Sequence, residues 1–298
     1  MKVLLIGLPY FSNYLADKLS KNFPKDTFIS LNTYYSKKDK ILFFKHLSKA
    51  DVIHSINGSI SKSTAILLAV LLRKKVVMHW VGTDLIQAEM DYSNKKTNST
   101  LISRPIHLTD TPWFIHRLEK VGIKNPKFIP LKGMEKCNTT PKFPEKFAVL
   151  CYIPENRAEF YGIDMAIKIA TKLPDIKFNW VGMSNWKHDL PKNVHLHGWV
   201  SNISKYIDDS VVCLRMPKSD GLSFFVLESL SKGRYVAYNQ PFEYSNYCDS
   251  LEDFVSFISE KKTEFDAKIL TPDEAKSKII QEIFDENMVF NQLRDIYL

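Results

Sequence analysis

The sequence predicts an α/β protein built from two Rossmann-like, doubly wound domains, each a parallel sheet covered by helices. Three observations carry this reading. Short, continuously apolar runs alternate with stretches of helical period. The alternation breaks once, over residues 131–146, and then restarts. The chain has 298 residues, 45% of them hydrophobic, enough for two cores of about 150 residues each.

In chain order, residues 2–6 read as a buried strand and 13–21 as an amphipathic helix running up to Pro24. Residues 28–31 form a second strand, 40–48 a helix, 51–55 a third strand, 61–72 a strongly apolar helix and 75–79 a fourth strand. Short apolar strands separated by helices of this length indicate parallel βαβ units. Ligands of such sheets sit beyond the carboxyl ends of the strands, which marks 7–9, 55–59 and 79–84 as the mouth of the first domain. The polar stretch 91–100, DYSNKKTNST, has the composition of a mobile loop. Residues 106–108 end another strand, 111–121 form a helix with Pro112 in its first turn and Gly122 past its end, and 127–130 form a strand. Residues 131–146 carry Lys, Thr, Pro and Glu with little apolar periodicity and read as the linker.

The second half repeats the pattern. Strands are expected at 148–152, 176–181, 194–198 and 211–215, and helices at 163–173 and 201–207. The stretch 218–236 contains SDGLSFFVLESLSKGRYV, a loop, then a helix, then a strand at 235–238. Asp220 and Gly221 make an acidic turn, Ser223 is a candidate cap, and Phe224, Leu227, Leu230 and Ser231 recur at helical spacing until Gly233 stops the helix. Asp220 thus stands at a helix N-terminus, where backbone N–H groups favour an anion, and Glu228 lies about two turns along. A helix at 252–261 and one or two more over 272–298 complete the chain. The expected domains are 1–135 and 146–270, with 271–298 as C-terminal helices that can pack back across the linker.

Composition narrows the function. The formal net charge is +8, but lysine is scattered and no dense arginine tract occurs. The charge suits ordinary surface lysine, an anionic membrane surface or a phosphorylated substrate, and argues against nucleic acid. Lys95 and Lys96 hint at a phosphorylated lipid at a membrane face. Cys137, Cys151, Cys213 and Cys248 form no Cys-x-x-Cys pair, so they read as reduced residues of a cytoplasmic protein without a metal framework. The N-terminal run passes into Gly7 and Pro9 and fits a first strand better than a signal peptide. The sequons at Asn57, Asn98, Asn138 and Asn202 are then chance matches. The apolar run 65–72 is too short to span a bilayer. His195 and His197 share a strand face but lack a third ligand, and Trp180, Trp186 and Trp199 suit packing or stacking on a base or sugar. A lone Gly7 is no G-x-G-x-x-G fingerprint, which argues against a nicotinamide oxidoreductase.

Two such domains, with VMHWVGTD at 77–84, VHLHGWV at 194–200, and an acid-x7-acid motif from Asp220 to Glu228 followed by a small-residue helix, Gly233 and a strand, resemble a GT-B glycosyltransferase of the retaining, glycogen-synthase-like or family 4 type. The similarity runs through most of the chain in order. It implies two Rossmann-like domains facing across a cleft and a nucleotide-diphosphate sugar as donor. It also implies an acceptor hydroxyl on a glycan or lipid carrier, a place in polysaccharide biosynthesis, and no metal or other cofactor.

The resemblance further implies a role for particular residues. Glu228 would hydrogen-bond the ribose hydroxyls, and Asp220, where the family normally has Glu, would lie close to the donor sugar. The backbone of Leu222 and Ser223 would meet the sugar or the diphosphate. Arg157, in PENRAEFYG, matches the arginine that neutralises the leaving diphosphate, whereas Tyr161 stands at the place of the accompanying lysine. His79 matches a first-domain histidine that contacts the donor sugar, and Asp84 would orient the acceptor hydroxyl. The nucleobase would lie against Gly182 and the Trp199-Val200 backbone.

Each residue also has a plainer reading: Glu228 a solvated helix carboxylate, Asp220 a turn residue, Arg157 a surface cation, His79 a hydrogen-bonded histidine at a strand end, Asp84 a helix N-cap. Two further functions suit the same sequence, a GT-B-type nucleotide-sugar epimerase and a catalytically silent GT-B binding module.

Overall fold

The computed structural model describes residues 1–135 and 140–298. Cys137 and the Asn138 sequon, both in the linker stretch, lie outside the described residues. The chain divides into two units, Met1–Glu135 with Phe284–Leu298 and Lys136–Ile283.

The first unit holds β1 (Lys2–Gly7), α1 (Pro9–Asn22), β2 (Thr27–Leu31), α2 (Lys37–Leu47), β3 (Val52–Ile56), α3 (Thr64–Leu71), β4 (Lys75–Trp80), α4 (Thr83–Ser93), α5 (Ser99–Ser103), β5 (Ile106–Thr109), α6 (Phe114–Lys120) and β6 (Lys127–Phe128). The strands are all parallel, in the order β2-β1-β3-β4-β5-β6. Successive side chains of β1 point to opposite faces, and both faces are covered. Leu4 and Ile6 join the cluster of Phe43, Ile66 and Ala69, while Val3 and Leu5 join that of Leu15, Leu19, Val289 and Phe290.

The second unit holds β7 (Ala148–Tyr152), a single 3-10 turn at Glu155–Arg157, α7 (Ile163–Lys172), β8 (Lys177–Val181), β9 (Val194–Leu196), α8 (Ser204–Asp208), β10 (Val212–Arg215), α9 (Phe224–Ser231), β11 (Tyr235–Tyr238), β12 (Asn246–Tyr247), α10 (Leu251–Asp266) and α11 (Glu274–Ile283). Its sheet is again fully parallel, β12-β11-β10-β7-β8-β9. The last helix, α12 (Glu286–Tyr297), returns to the first unit and lays Val289, Phe290, Leu293 and Tyr297 on the Val3/Leu5 face.

Several boundaries differ from the sequence reading for identifiable reasons. Helix α1 begins at Pro9, four residues early, because proline at the first helical position gives up an amide that has no partner there anyway. The stretch 91–100 is mostly helix ends: α4 runs through Ser93, and Asn98 caps α5 by accepting from the Thr100 and Leu101 amides. Its polar residues are capping residues, which share a composition with loops. Pro112 lies in a turn ahead of α6, and helix α8 starts at Ser204, after Asn202 accepts from the Ser204 amide. Residues 271–298 split, α11 staying with the second unit and α12 with the first.

The docking of α12 makes a test. Phe290 is fully buried beneath β1, so Phe290→Ala should lower the opening free energy of the β1 amides by about 3–5 kcal/mol in hydrogen exchange. A change below about 1 kcal/mol would show that α12 is not part of this core.

Candidate functional site

In each unit one ligand-sized space lies where the strand order reverses. In an open parallel sheet the connections on either side of that point leave in opposite directions, and a crevice opens beyond the strand ends. In the second unit the reversal falls at β7, between β10 and β8. A cavity of about 320 Å³ opens there, lined among others by Tyr152, Gly182, Trp199, Val200, Ser223, Glu228 and Arg215. Five residues named from the sequence therefore share one cavity: Gly182, Trp199, Val200, Ser223 and Glu228.

Local structure explains each placement. Gly182 follows β8 with φ +95°, and a Cβ there would sit 2.9 Å from the Ile153 carbonyl oxygen, so the close approach of the two loops needs glycine. Trp199 is 80% exposed at the cavity rim, whereas Trp180 is wholly buried. Helix α9 buries Phe225, Val226, Leu227 and Leu230, which leaves half-buried Glu228 on the flank that faces the cavity. Ser223 stands at the N-cap in extended conformation, but its side chain makes no capping hydrogen bond, and the first turn of α9 carries no acid. The positive end of this helix is thus not matched by a side chain of its own.

Arg157 and Leu222 do not line this cavity. Arg157 packs its guanidinium 4.2 Å from the Phe160 ring centroid and lines a separate cavity with Trp186, Lys187 and Lys218. Leu222 is buried.

Asp220 is paired within its own unit. Its carboxylate accepts from Arg215 Nε at 2.8 Å and Nη2 at 3.0 Å, and from the Tyr238 hydroxyl at 2.9 Å. Arg215 and Tyr238 end β10 and β11 and are paired in the ladder, so both meet the loop that carries Asp220. Arg215 is only 5% exposed, with its Cζ 4.6 Å from the Tyr161 centroid and 5.6 Å from that of Tyr152. Burial, reinforced by the charge of Asp220, holds the Tyr238 hydroxyl well above its ordinary pKa and keeps it a donor. Arg215 belongs to no recognised motif of the sequence. Its signal was a charged residue closing an apolar strand, VVCLR, five residues ahead of an acid.

In the first unit the strand order reverses between β1 and β3, and a cavity of about 400 Å³ lies there, lined by Gly7, Tyr34, Lys40, Asn57, Gly58 and Lys62 among others. It falls on two of the three loops expected as the mouth, 7–9 and 55–59. Asn57 adopts φ +119°, uncommon for a residue with a side chain, and its amide donates to the Tyr34 hydroxyl.

The two first-unit residues singled out by the resemblance are both buried. His79 has no exposed surface, and its Nδ1 lies 3.3 Å from His54 Nε2, which in turn reaches the Tyr297 hydroxyl through Nδ1 at 2.6 Å. Strand β4 continues one residue past the expected end, so His79 stays inside the sheet rather than at its mouth. Asp84, in the first turn of α4, accepts from the backbone amides of Gly58, Val81, Gly82 and Leu85. Both of its oxygens are engaged, and it ties the cavity wall at Gly58 to the start of α4. Burial pushes its pKa up, an effect that those amides partly offset.

No protein-family model matches the chain, and no curated protein does so significantly. Solved structures do match. Sucrose-phosphate synthase from Thermosynechococcus elongatus superposes with a TM-score of 0.73 at 12% identity, covering 100% of this chain and 98% of that one. HepE of Anabaena, solved in complex with UDP-glucose, gives 0.70 at 11% identity, with 99% and 98% covered. A glycosyltransferase from Rickettsia africae gives 0.71 at 14% identity, with 99% and 97% covered. The chain has the GT-B fold of these glycosyltransferases, two Rossmann-like domains with parallel six-stranded sheets.

The buried histidines generate a pH prediction. Burial depresses His79 to about 3 and His107 to about 4, and drives His54 well below its ordinary value. The folded state therefore refuses protons that the unfolded chain takes up from about pH 6.5 downward. Stability of the first unit is fully present above that pH and should fall below it, by roughly 1.4 kcal/mol per pH unit for each histidine fully protonated in the unfolded chain. Urea midpoints compared at pH 7.5 and 5 read this directly, and equal midpoints would contradict it.

Proposed function

We propose that this chain is a glycosyltransferase of the glycogen-synthase-like group, moving a sugar from a nucleotide-diphosphate donor to an acceptor hydroxyl with retention of configuration. The observation that carries the reading is the convergence of Gly182, Trp199, Val200, Ser223 and Glu228 on one cavity at the strand-order reversal of the second unit. HepE, which shares the fold, was solved with UDP-glucose. Glu228 takes the ribose hydroxyls, the Gly182 and Trp199-Val200 backbone the base, and the N-terminus of α9 the phosphate or sugar.

The cavity at Gly7 and Asn57 is the acceptor side. The acceptor is a hydroxyl of a glycan or a lipid-linked sugar, in keeping with the positive charge of the chain and of Lys40 and Lys62. A peripheral contact with anionic lipid goes with the same charge. Among the described residues no helix is long and apolar enough to cross a membrane.

Retention follows from attack on the face that the diphosphate leaves. The acceptor oxygen bonds to the anomeric carbon as the carbon–oxygen bond to the diphosphate breaks, the bonding pair goes to the diphosphate oxygen, and the acceptor proton passes to that phosphate. Such a reaction relies on positioning and on stabilising the developing negative charge, with no metal needed. His79 and Asp84 support the first-unit fold instead of touching substrate: one sits wholly inside the sheet, the other holds four backbone amides.

Removing the ribose contact tests the reading. Glu228→Ala should weaken binding of the preferred nucleoside diphosphate and of its parent nucleoside alike, by about 10- to 150-fold, the worth of a hydrogen bond to a charged group. Turnover of the matching nucleotide sugar should fall with it while the melting temperature of the unliganded protein holds. Unchanged affinity and turnover would remove the assignment.

A further inference from the structure

We infer that Arg215 is the group that meets the donor's diphosphate, in place of the lysine whose position Tyr161 occupies, and that Asp220 and Tyr238 position it. The inference rests on the nucleotide-sugar reading of the second-unit cavity and adds to it the cation that the reading lacks.

Three observations converge. Arg215 lines the cavity together with Glu228, Gly182 and Ser223, whereas Asp220 does not, so the positive partner of the pair faces the ligand space and the negative one stands behind it. Two of its donors are fixed by the bidentate contact to Asp220, and Tyr238 locks that carboxylate by donating to Oδ2. The third nitrogen, Nη1, is buried and has no hydrogen-bond partner among the described residues.

A guanidinium edge withdrawn from water without an acceptor is unfavourable, and such groups in native proteins mark the place of a ligand or of an ordered water. Tyr161 and Tyr152 pack near the guanidinium, so the edge that carries Nη1 is what remains to offer. A phosphate oxygen suits it, since a planar, permanently charged fork matches phosphate geometry. The start of α9 at Ser223 lines the same cavity and supplies a second source of positive potential.

Tyr161 and Asp220, the two places where the chain departs from the pattern it resembles, both act on the same guanidinium. The shorter acid reaches back to hold Arg215, and the aromatic ring gives the guanidinium a surface to lie against. Charge at the leaving group is kept, but it is delivered from the end of β10 instead of from the loop after β7.

Titration calorimetry on the full chain with UDP, GDP, ADP and CDP, and with the four parent nucleosides, tests this. Arg215→Gln alone would strand the Asp220 carboxylate, so the decisive variant is Arg215→Gln with Asp220→Asn, which removes both charges together. It should bind the preferred diphosphate about 10- to 150-fold more weakly while the parent nucleoside is held as before, because only the diphosphate uses the charged hydrogen bond. Arg215→Lys should recover part of the loss, and Tyr238→Phe should show a smaller loss of the same selective kind. Equal losses for diphosphate and nucleoside would mark the cluster as structural and overturn the inference. So would an undiminished diphosphate affinity, and if Glu228→Ala still weakened binding the donor reading would survive. A wild-type chain that binds none of the four diphosphates would overturn both.

Discussion

A buried guanidinium has to be matched by acceptors along its edges, and Arg215 is matched on two of its three nitrogens. The desolvation of such a charge amounts to several kcal/mol, offset only by a bidentate carboxylate and packed rings. That requirement fixes much of the second unit around it. The β10–β11 ladder sets Arg215 level with Tyr238, the loop between β10 and α9 must bring Asp220 back to both, and α9 then starts where Ser223 and Glu228 face the same space. One buried charge thereby orders a strand end, a loop and a helix entry.

The first unit buries polar groups that burial keeps neutral. His54, His79 and Tyr297 form a buried chain that links two strands to the last helix, and burial keeps both histidines neutral. Asp84 joins the loops after β3 and β4 through backbone amides.

Much of the fold was legible because parallel strands buried on both faces read as apolar runs, and their order along the chain survives small errors at the ends. What escaped was decided by single hydrogen bonds. Asn98 as a cap and Pro9 as a first helical residue have the composition of loops, and the pattern gives no sign of which they are. The site divided along a similar line. Gly182, Trp199, Val200, Ser223 and Glu228 lie together because their positions follow from strand ends and one helix. The burial of His79 within a strand one residue longer than expected, and the pairing of Asp220 with Arg215 from another element, show in no local motif.

The central claim is that the donor's nucleotide and diphosphate bind at the β7/β10 strand ends, between Glu228 and Arg215. It is tested most directly by a crystal structure of the chain with UDP-glucose. The account predicts ribose oxygens within hydrogen-bonding distance of Glu228 and a phosphate oxygen on Arg215 Nη1, with Asp220 still paired behind it. A nucleotide bound elsewhere, or a diphosphate in this cavity with Arg215 turned away from it, would contradict the account.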